Sequence, residues 1–271
     1  DAIAAARRAL PDVPHVLVPD TAFHAAMPEE ASTYAVPARW REEWGVRRYG
    51  FHGLSVQWAA ERAAAMLGRG DLRLVVCHLG GGASVTAVRA GRSGDTTMGF
   101  GPLEGLVMAT RSGTVDPGVP LHLVLRHGVP AAEVERALNE DSGLRALAGT
   151  GDMRRVEAAA AGGDARAARA LSVHDHRLAA AVAAMTAALG GIDALAFTGG
   201  VGEGSGRTRA EAARRLAFLG VAVDPGADRG AGDREVSAAG ARVRTLVVGS
   251  REDLVIARSV RAVLDARDGE D

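Results

Sequence analysis

Cysteine is almost missing from this sequence: its 271 residues contain one, Cys77. No disulfide framework can form within the chain, which points to a reducing compartment. Cys77 lies in the apolar run "LRLVVCHLG", where a small buried hydrophobe is a better reading than a reactive thiol. Aromatic residues are scarce, at 4%, so the core must lean on Ala, Val and Leu. No charge of one sign dominates. A formal net charge of −1 argues against a general nucleic-acid binder and against a membrane-surface protein. An unbroken apolar span is missing too. The most apolar stretch, 178–197, is interrupted by Gly190, Gly191 and Asp193, and reads as a buried helix, a turn and a strand. The N-terminus "DAIAAARRAL" has neither an initiator Met nor a signal-peptide core, and reads as the middle of a helix. The chain is therefore expected to start inside a longer protein.

What is present is an alternation of strand-like and helix-like segments, which indicates an α/β fold. "HVLVPDTAFH" (15–24) reads as a short buried strand ending at Pro19 and Asp20. "LSVQWAAERAAAMLG" (54–68) reads as a helix stopped by Gly68. "LRLVVCHLGGGASVTAVRAG" (72–91) reads as two strands around a Gly-Gly-Gly turn. A short helix opens at Asp152 and a long Ala-rich helix covers 164–191. Then come the strand "ALAFTGG", a Gly-rich loop, a helix over 207–220, a strand in 241–250 and a closing helix over 251–266. The segment 226–240 reads as a surface loop.

Two strands run into glycine pairs, at "HLGGGASV" (78–85) and "FTGGVGEGS" (197–205). Glycine lets backbone approach a ligand closely, and exposed N–H groups in such turns attract anions. One such loop is explained equally well by a tight hairpin; two in one chain fit a nucleotide cleft better. Neither is a Walker loop, and no lysine stands near either. The segment 91–118 is Gly-rich, has little strand or helix period, and carries Asp95, Glu104, Arg111 and Asp116. Loops of that length inside a compact domain usually carry function. Arg111, between small residues in "ATRSG", suits a clamp on a phosphoryl group or carboxylate. A surface ion pair with Asp116 explains it about as well. His52 in "YGFHG" could stabilise negative charge or be structural. Asp20 could face a ligand or cap a helix. Glu252 could approach a metal or favour the first turn of the last helix.

Taken in order, "DTAFH..MP" (20–28), "YGFHG.S" (49–55), "HLGGGASV", "DTTMGFGPLEGLVMATRSGTVDPG" (95–118), "FTGGVGEGS" and "REDLVIAR" (251–258) resemble the acetate kinase family, which includes propionate kinases. The resemblance covers essentially the whole chain. It implies an actin-like/sugar-kinase (ribonuclease H-like) α/β fold, with a mixed sheet flanked by helices. It implies reversible transfer of the ATP γ-phosphoryl group to acetate with Mg²⁺, giving acetyl phosphate and ADP. In that reading Asp20, His52 and Arg111 are catalytic and Glu252 serves the metal. His78, Gly80, Gly81, Gly82, Asp152, Arg154, Gly200, Val201 and Gly202 bind nucleotide, and Phe51 and Pro102 contact the acyl group. The implied protein is a cytoplasmic homodimer with no nucleic-acid or membrane partner. Residues 1–22 would be a remnant of an N-terminal domain and 23–253 the nucleotide-binding and dimerisation domain. Helix 254–271 would pack on the N-terminal domain.

The chain departs from the family where Gly81 and Gly204 stand in place of asparagines, and the family's first phosphate loop is not in it. A non-catalytic nucleotide-binding or dimerisation module, or a propionate or butyrate kinase, is the alternative.

Overall fold

A computed structural model of the chain describes residues 2–268. Six strands form one mixed sheet: β1 (Arg73–Leu79), β2 (Ala83–Arg89), β3 (Arg92–Thr96), β4 (Ala194–Thr198), β5 (Arg234–Glu235) and β6 (Arg244–Val247). Their spatial order is β3-β2-β1-β4-β6-β5. Strands β1, β2 and β3 pair antiparallel, β1–β4 and β4–β6 pair parallel, and β5 pairs antiparallel with β6.

The helices, in chain order, are α1 (Ala2–Ala9), α2 (Glu29–Ser32), α3 (Ala38–Trp44), α4 (Gly53–Leu67), α5 (Gly118–His127), α6 (Ala131–Glu140), α7 (Gly143–Ala148) and α8 (Met153–Ala161). They continue with α9 (Ala165–Ala188), α10 (Gly199–Gly204), α11 (Gly206–Arg215) and α12 (Glu252–Asp268). Helix α4 ends at Gly68 with φ of 64°, a left-handed cap that a residue with a Cβ adopts only under strain.

Strand β1 is buried on both faces, and its alternation sorts the core. Val75, Cys77 and Leu79 join Leu195, Phe197 and the inner faces of α9 and α11. Leu74 and Val76 join Ala194, Ala196 and Leu246 against Val56, Ala59 and Ala63 of α4. Each such Val or Leu contributes roughly 1.5–3 kcal/mol by leaving water. The small alanines let α4 lie close to the sheet. A third cluster, with Leu144, Val156 and Leu171, packs α7 and α8 on α9. Helix α12 lies on α4, tied by Arg258 to Glu61 at 2.7 Å, while Ile256 and Val263 stay exposed.

Four sequence readings change. Residues 15–24 form no strand: Leu17 is 66% exposed, no neighbouring strand offers a ladder, and 22–26 make a 3-10 turn. The "loop" after β4 is helical, as α10. Glycine disfavours helix by about 1 kcal/mol per residue, and tertiary contacts override that. Gly199, at φ 78°, turns where an added Cβ would lie 2.8 Å from Leu79 O, and Gly202 backs onto β1. Buried Arg209 takes the carbonyls of Gly202 and Glu203 at 2.6 and 3.0 Å. The 91–118 segment begins with β3, and 226–240 contains edge strand β5 and the buried Val236.

Candidate active site

The ends of β1 and β4, the turn before β2 and the start of α4 meet at one edge of the sheet. "DTAFH" and "YGFHG" lock together there. Asp20 Oδ2 accepts the backbone N–H of His52 at 2.6 Å, and Asp20 O accepts that of Gly53 at 2.9 Å. Asp20 thus caps the start of α4 and is brought beside His52 by doing so. His24 is buried; its Nε2 meets Phe51 O at 3.0 Å and its Nδ1 meets Ser93 Oγ at 2.9 Å. Both glycines of the motif are required. A Cβ on Gly53 would lie 2.3 Å from Asp20 O, and one on Gly50 would lie 2.6 Å from the His24 ring. His52 itself adopts a left-handed backbone at φ 58°. That conformation costs a non-glycine residue about 1–2 kcal/mol and persists because both its main chain and its ring are anchored.

The His52 ring lies between β2 and β1. Its Nδ1 meets Ser84 Oγ at 3.1 Å, and the ring stacks on His78. His78 Nδ1 in turn meets Ser55 Oγ of α4 at 2.8 Å. Register explains the row: His78 on β1 pairs with Ser84 on β2 and with Thr198 on β4. The Thr198 hydroxyl is buried and has no partner, a donor and acceptor held at the head of this row. Burial, then the Arg111 charge, push the His52 imidazole down to about 4. Burial, then His52, push His78 down to about 3. Both rings are therefore neutral at neutral pH.

Arg111 arrives from the 97–117 loop. Its Nη1 donates to Pro102 O at 2.9 Å, and Asp116 does not engage it: Asp116 takes the Gly118 N–H at 2.8 Å instead. Gly82 sits between the two functional side chains. A Cβ there would lie 3.0 Å from His52 Nε2 and 3.4 Å from Arg111 Nη1. Glycine at 82 is what lets an imidazole and a guanidinium bracket one point beside the backbone. Phe51 packs on the main core, and Pro102 is exposed beside Arg111.

A cavity of 370 Å³ opens next to this point, lined by Gly80, Gly81, Asp152, Arg154, Gly200 and Val201. Six residues singled out by sequence thus converge. Gly151, Met153, Glu157, Gly204 and Ser205 complete the wall. Asp152 caps α8 through Arg154 N at 3.0 Å and holds the Arg154 guanidinium on both oxygens. That pairing keeps the Asp152 carboxyl below the usual carboxylate range. Gly202 does not reach the cavity; it is buried against the sheet. A larger cleft, of 780 Å³, lies beyond Gly204 between α11 and 221–234. Its Arg207, Arg209 and Arg214 are engaged by Asp175, Asp228 and Glu211, so no free charge converges from them.

Glu252 opens α12 near Asp20: burial, then the Asp20 charge, push its carboxyl up. Glu203 on α10 accepts the Ser250 N–H at 3.1 Å and so ties the Gly-rich turn to the segment leading into Glu252. Sequence reasoning missed Glu203, Ser55 and Ser84. Only the residue after "GVG" and the serine spacing after "FHG" and "HLGGG" signal them. Among the described residues no group of three or more His, Cys, Asp or Glu converges on a metal position. Mg²⁺ commonly takes one or two carboxylates and leaves the rest to phosphates and water. Asp20 and Glu252, close enough for the Asp20 charge to push the Glu252 carboxyl up, suit that mode. No described helix is long and apolar enough to cross a membrane.

Fold and site together define an α/β protein in which glycine-rich turns, two neutral imidazoles and an arginine gather at one sheet edge. Residues 1–258 match the Acetokinase family. The chain is 52% identical to the acetate kinase of Leifsonia xyli subsp. xyli over 95% of its length and 66% of the relative. It is 48% identical to that of Acaryochloris marina, over 92% of its length and 63% of the relative. The crystal structure of Porphyromonas gingivalis acetate kinase superposes with a TM-score of 0.90 at 37% identity, covering 97% of this chain and 67% of that one. A propionate kinase from Francisella tularensis subsp. tularensis SCHU S4 superposes equally well, at 0.90 and 37%, covering 94% of this chain and 66% of that one. The chain belongs to the acetokinase family. It spans about two thirds of the length of the curated relatives it matches.

Proposed function

We propose that the protein containing this chain transfers the γ-phosphoryl group of ATP to acetate, reversibly, giving acetyl phosphate and ADP. The observation that carries this reading is the bracketing of Gly82 by His52 Nε2 and Arg111 Nη1 beside the glycine-lined cavity. The adenosine end of ATP would lie in the cavity against Gly200, Val201 and Asp152. Its phosphates would run along the Gly80–Gly82 backbone toward Arg111. A carboxylate oxygen attacks the γ-phosphorus as the bond to the β,γ-bridging oxygen breaks and ADP leaves.

A carboxylate needs no general base, because it is already deprotonated. The site is built accordingly, with donors rather than bases. Arg111 supplies fixed positive charge to the equatorial oxygens, as phosphoryl transfer requires. With Ser84 donating to Nδ1, His52 Nε2 carries its proton and donates beside Gly82. Asp20 and Glu252 would hold Mg²⁺. Held there, Mg²⁺ would supply positive charge against that of the phosphates. His78 orients His52 by stacking, and Phe51 and Pro102 would border the methyl group.

The same reading makes the protein a cytoplasmic homodimer without nucleic-acid or membrane partners. A second substrate, propionate, is supported by the similarity to a propionate kinase. The test is an assay of the intact protein with Mg-ATP and acetate, propionate or butyrate. Acetyl phosphate formation is expected, and an Arg111→Ala variant should lose roughly 100-fold or more in kcat. Nucleotide binding without any Arg111-dependent turnover would favour a non-catalytic module.

A further inference from the structure

Arg111 is aimed by a loop whose shape is set some distance from any phosphate position. Tyr34 Oη donates to Glu104 Oε2 at 2.5 Å and accepts the Phe100 N–H at 3.1 Å. Arg48 Nη2 donates to the other oxygen, Oε1, at 3.1 Å. Arg48 Nη1 also takes the carbonyls of Thr96 and Met98, each at 3.0 Å. Residues 96, 98, 100 and 104 are thereby pinned from outside the loop. Pro102 stands at the apex between Phe100 and Glu104, and its carbonyl is the one that accepts Arg111 Nη1. Gly99 has given up its Cβ for this arrangement: the atom would lie 1.9 Å from Glu104 Oε2 and 2.0 Å from Tyr34 Oη.

We infer that Glu104, clamped by Tyr34 and Arg48, is a positioning residue that sets the Pro102 carbonyl and through it the Arg111 guanidinium. The inference rests on the kinase reading above. The clamp is stiff on physical grounds. Arg48 is mostly shielded, at 16% side-chain exposure, so its ion pair with Glu104 is less screened than a surface pair. The Arg48 guanidinium also lies over the Tyr34 ring at 5.3 Å. Burial and the bond to Glu104 push the Tyr34 phenol up to about 12, so it remains a donor throughout the working range of pH. A guanidinium displaced by about 1 Å can cost as much as 100-fold in rate while substrate still binds.

The experiment uses the intact protein with Glu104→Gln and Tyr34→Phe, each alone and combined with Arg111→Ala. Both single variants should lose about tenfold or more in kcat with the KM for ATP changed less than about twofold. In the Arg111→Ala background the same changes should have almost no further effect. Hydrogen exchange across 97–111 should quicken in both variants, while α4 exchanges as before. Rate losses that multiply with that of Arg111→Ala would overturn the inference. So would unchanged exchange across 97–111. If the intact protein phosphorylates no short carboxylate, the kinase reading fails by itself, and the exchange measurement still decides whether Glu104 holds the loop.

Discussion

The imidazoles of His52 and His78 lie stacked with centroids 4.1 Å apart and planes 24° from parallel. Two charged rings could not share that spacing, and burial already pushes them down to about 4 and about 3. In the unfolded chain both protonate near 6.5. The unfolded state therefore binds more protons than the folded state between pH 6.5 and 4, and stability falls as pH drops through that window. Buried His24, also held low by burial, acts in the same direction. Melting temperature followed from pH 7 to 4 should fall, and His78→Gln should flatten the slope by about one proton. A melting temperature that rises on acidification would contradict the stacked neutral pair.

Arg111 is the second cause of the low His52 proton affinity, after burial. Replacing it with Gln should move the His52 titration upward, yet leave it below 6.5 because burial remains. NMR titration of the His52 ring in both proteins reads this directly. An unmoved titration would mean that Arg111 points away from His52 in solution.

Arg209 is 2% exposed and holds Asp228 at 2.7 Å together with two carbonyls of α10. Arg209→Met leaves Asp228 poorly solvated and those carbonyls unsatisfied, a loss of about 3–5 kcal/mol. The denaturant midpoint should drop accordingly, and ATP affinity should weaken because α10 forms one wall of the cavity. A loss of unfolding free energy under about 1 kcal/mol would show that α10 does not depend on this cap.

Two glycines of the site should respond oppositely. Gly53→Ala drives a Cβ to 2.3 Å from a backbone oxygen that cannot swing away, so it should separate Asp20 from His52 and abolish turnover. At Gly204 an added Cβ meets nothing within 4 Å, and the position borders the cavity. Gly204→Asn should fold normally, and its effect on ATP affinity tests whether an amide there reaches the nucleotide. Loss of stability at Gly204 would contradict the open space.

The strands β1, β2 and β4 and the helices α4, α8 and α9 were legible because period, glycine stops and aspartate caps agree along those stretches. Helix α10 was not, because "GGVGEG" has low helix propensity and is held by Arg209 and by close packing on β1. The strand expected at 15–24 needed a neighbour that no local pattern supplies. Helices α5, α6 and α7 went unread although Pro117, Pro130 and Ser142 precede them and the left-handed Gly128 and Gly149 end α5 and α7. Those are start and stop signals around short helices of only 6–10 residues. At the site, glycine runs and isolated Asp, His and Arg mark residues that the fold gathers around Gly82 and the cavity beside it. Their supports, Ser55, Ser84, Glu104 and Glu203, come from four separate segments, and only the fold brings each to its partner.

Cys77, the single thiol, is fully buried in β1, and burial pushes its proton affinity up. A thiol-reactive reagent can reach it only when the sheet opens, so its labelling rate is a clock for global unfolding that needs no engineering. Conversely, a cysteine introduced at Gly204 would be the one reactive thiol of the native state, a unique attachment point for a fluorophore at the cavity rim.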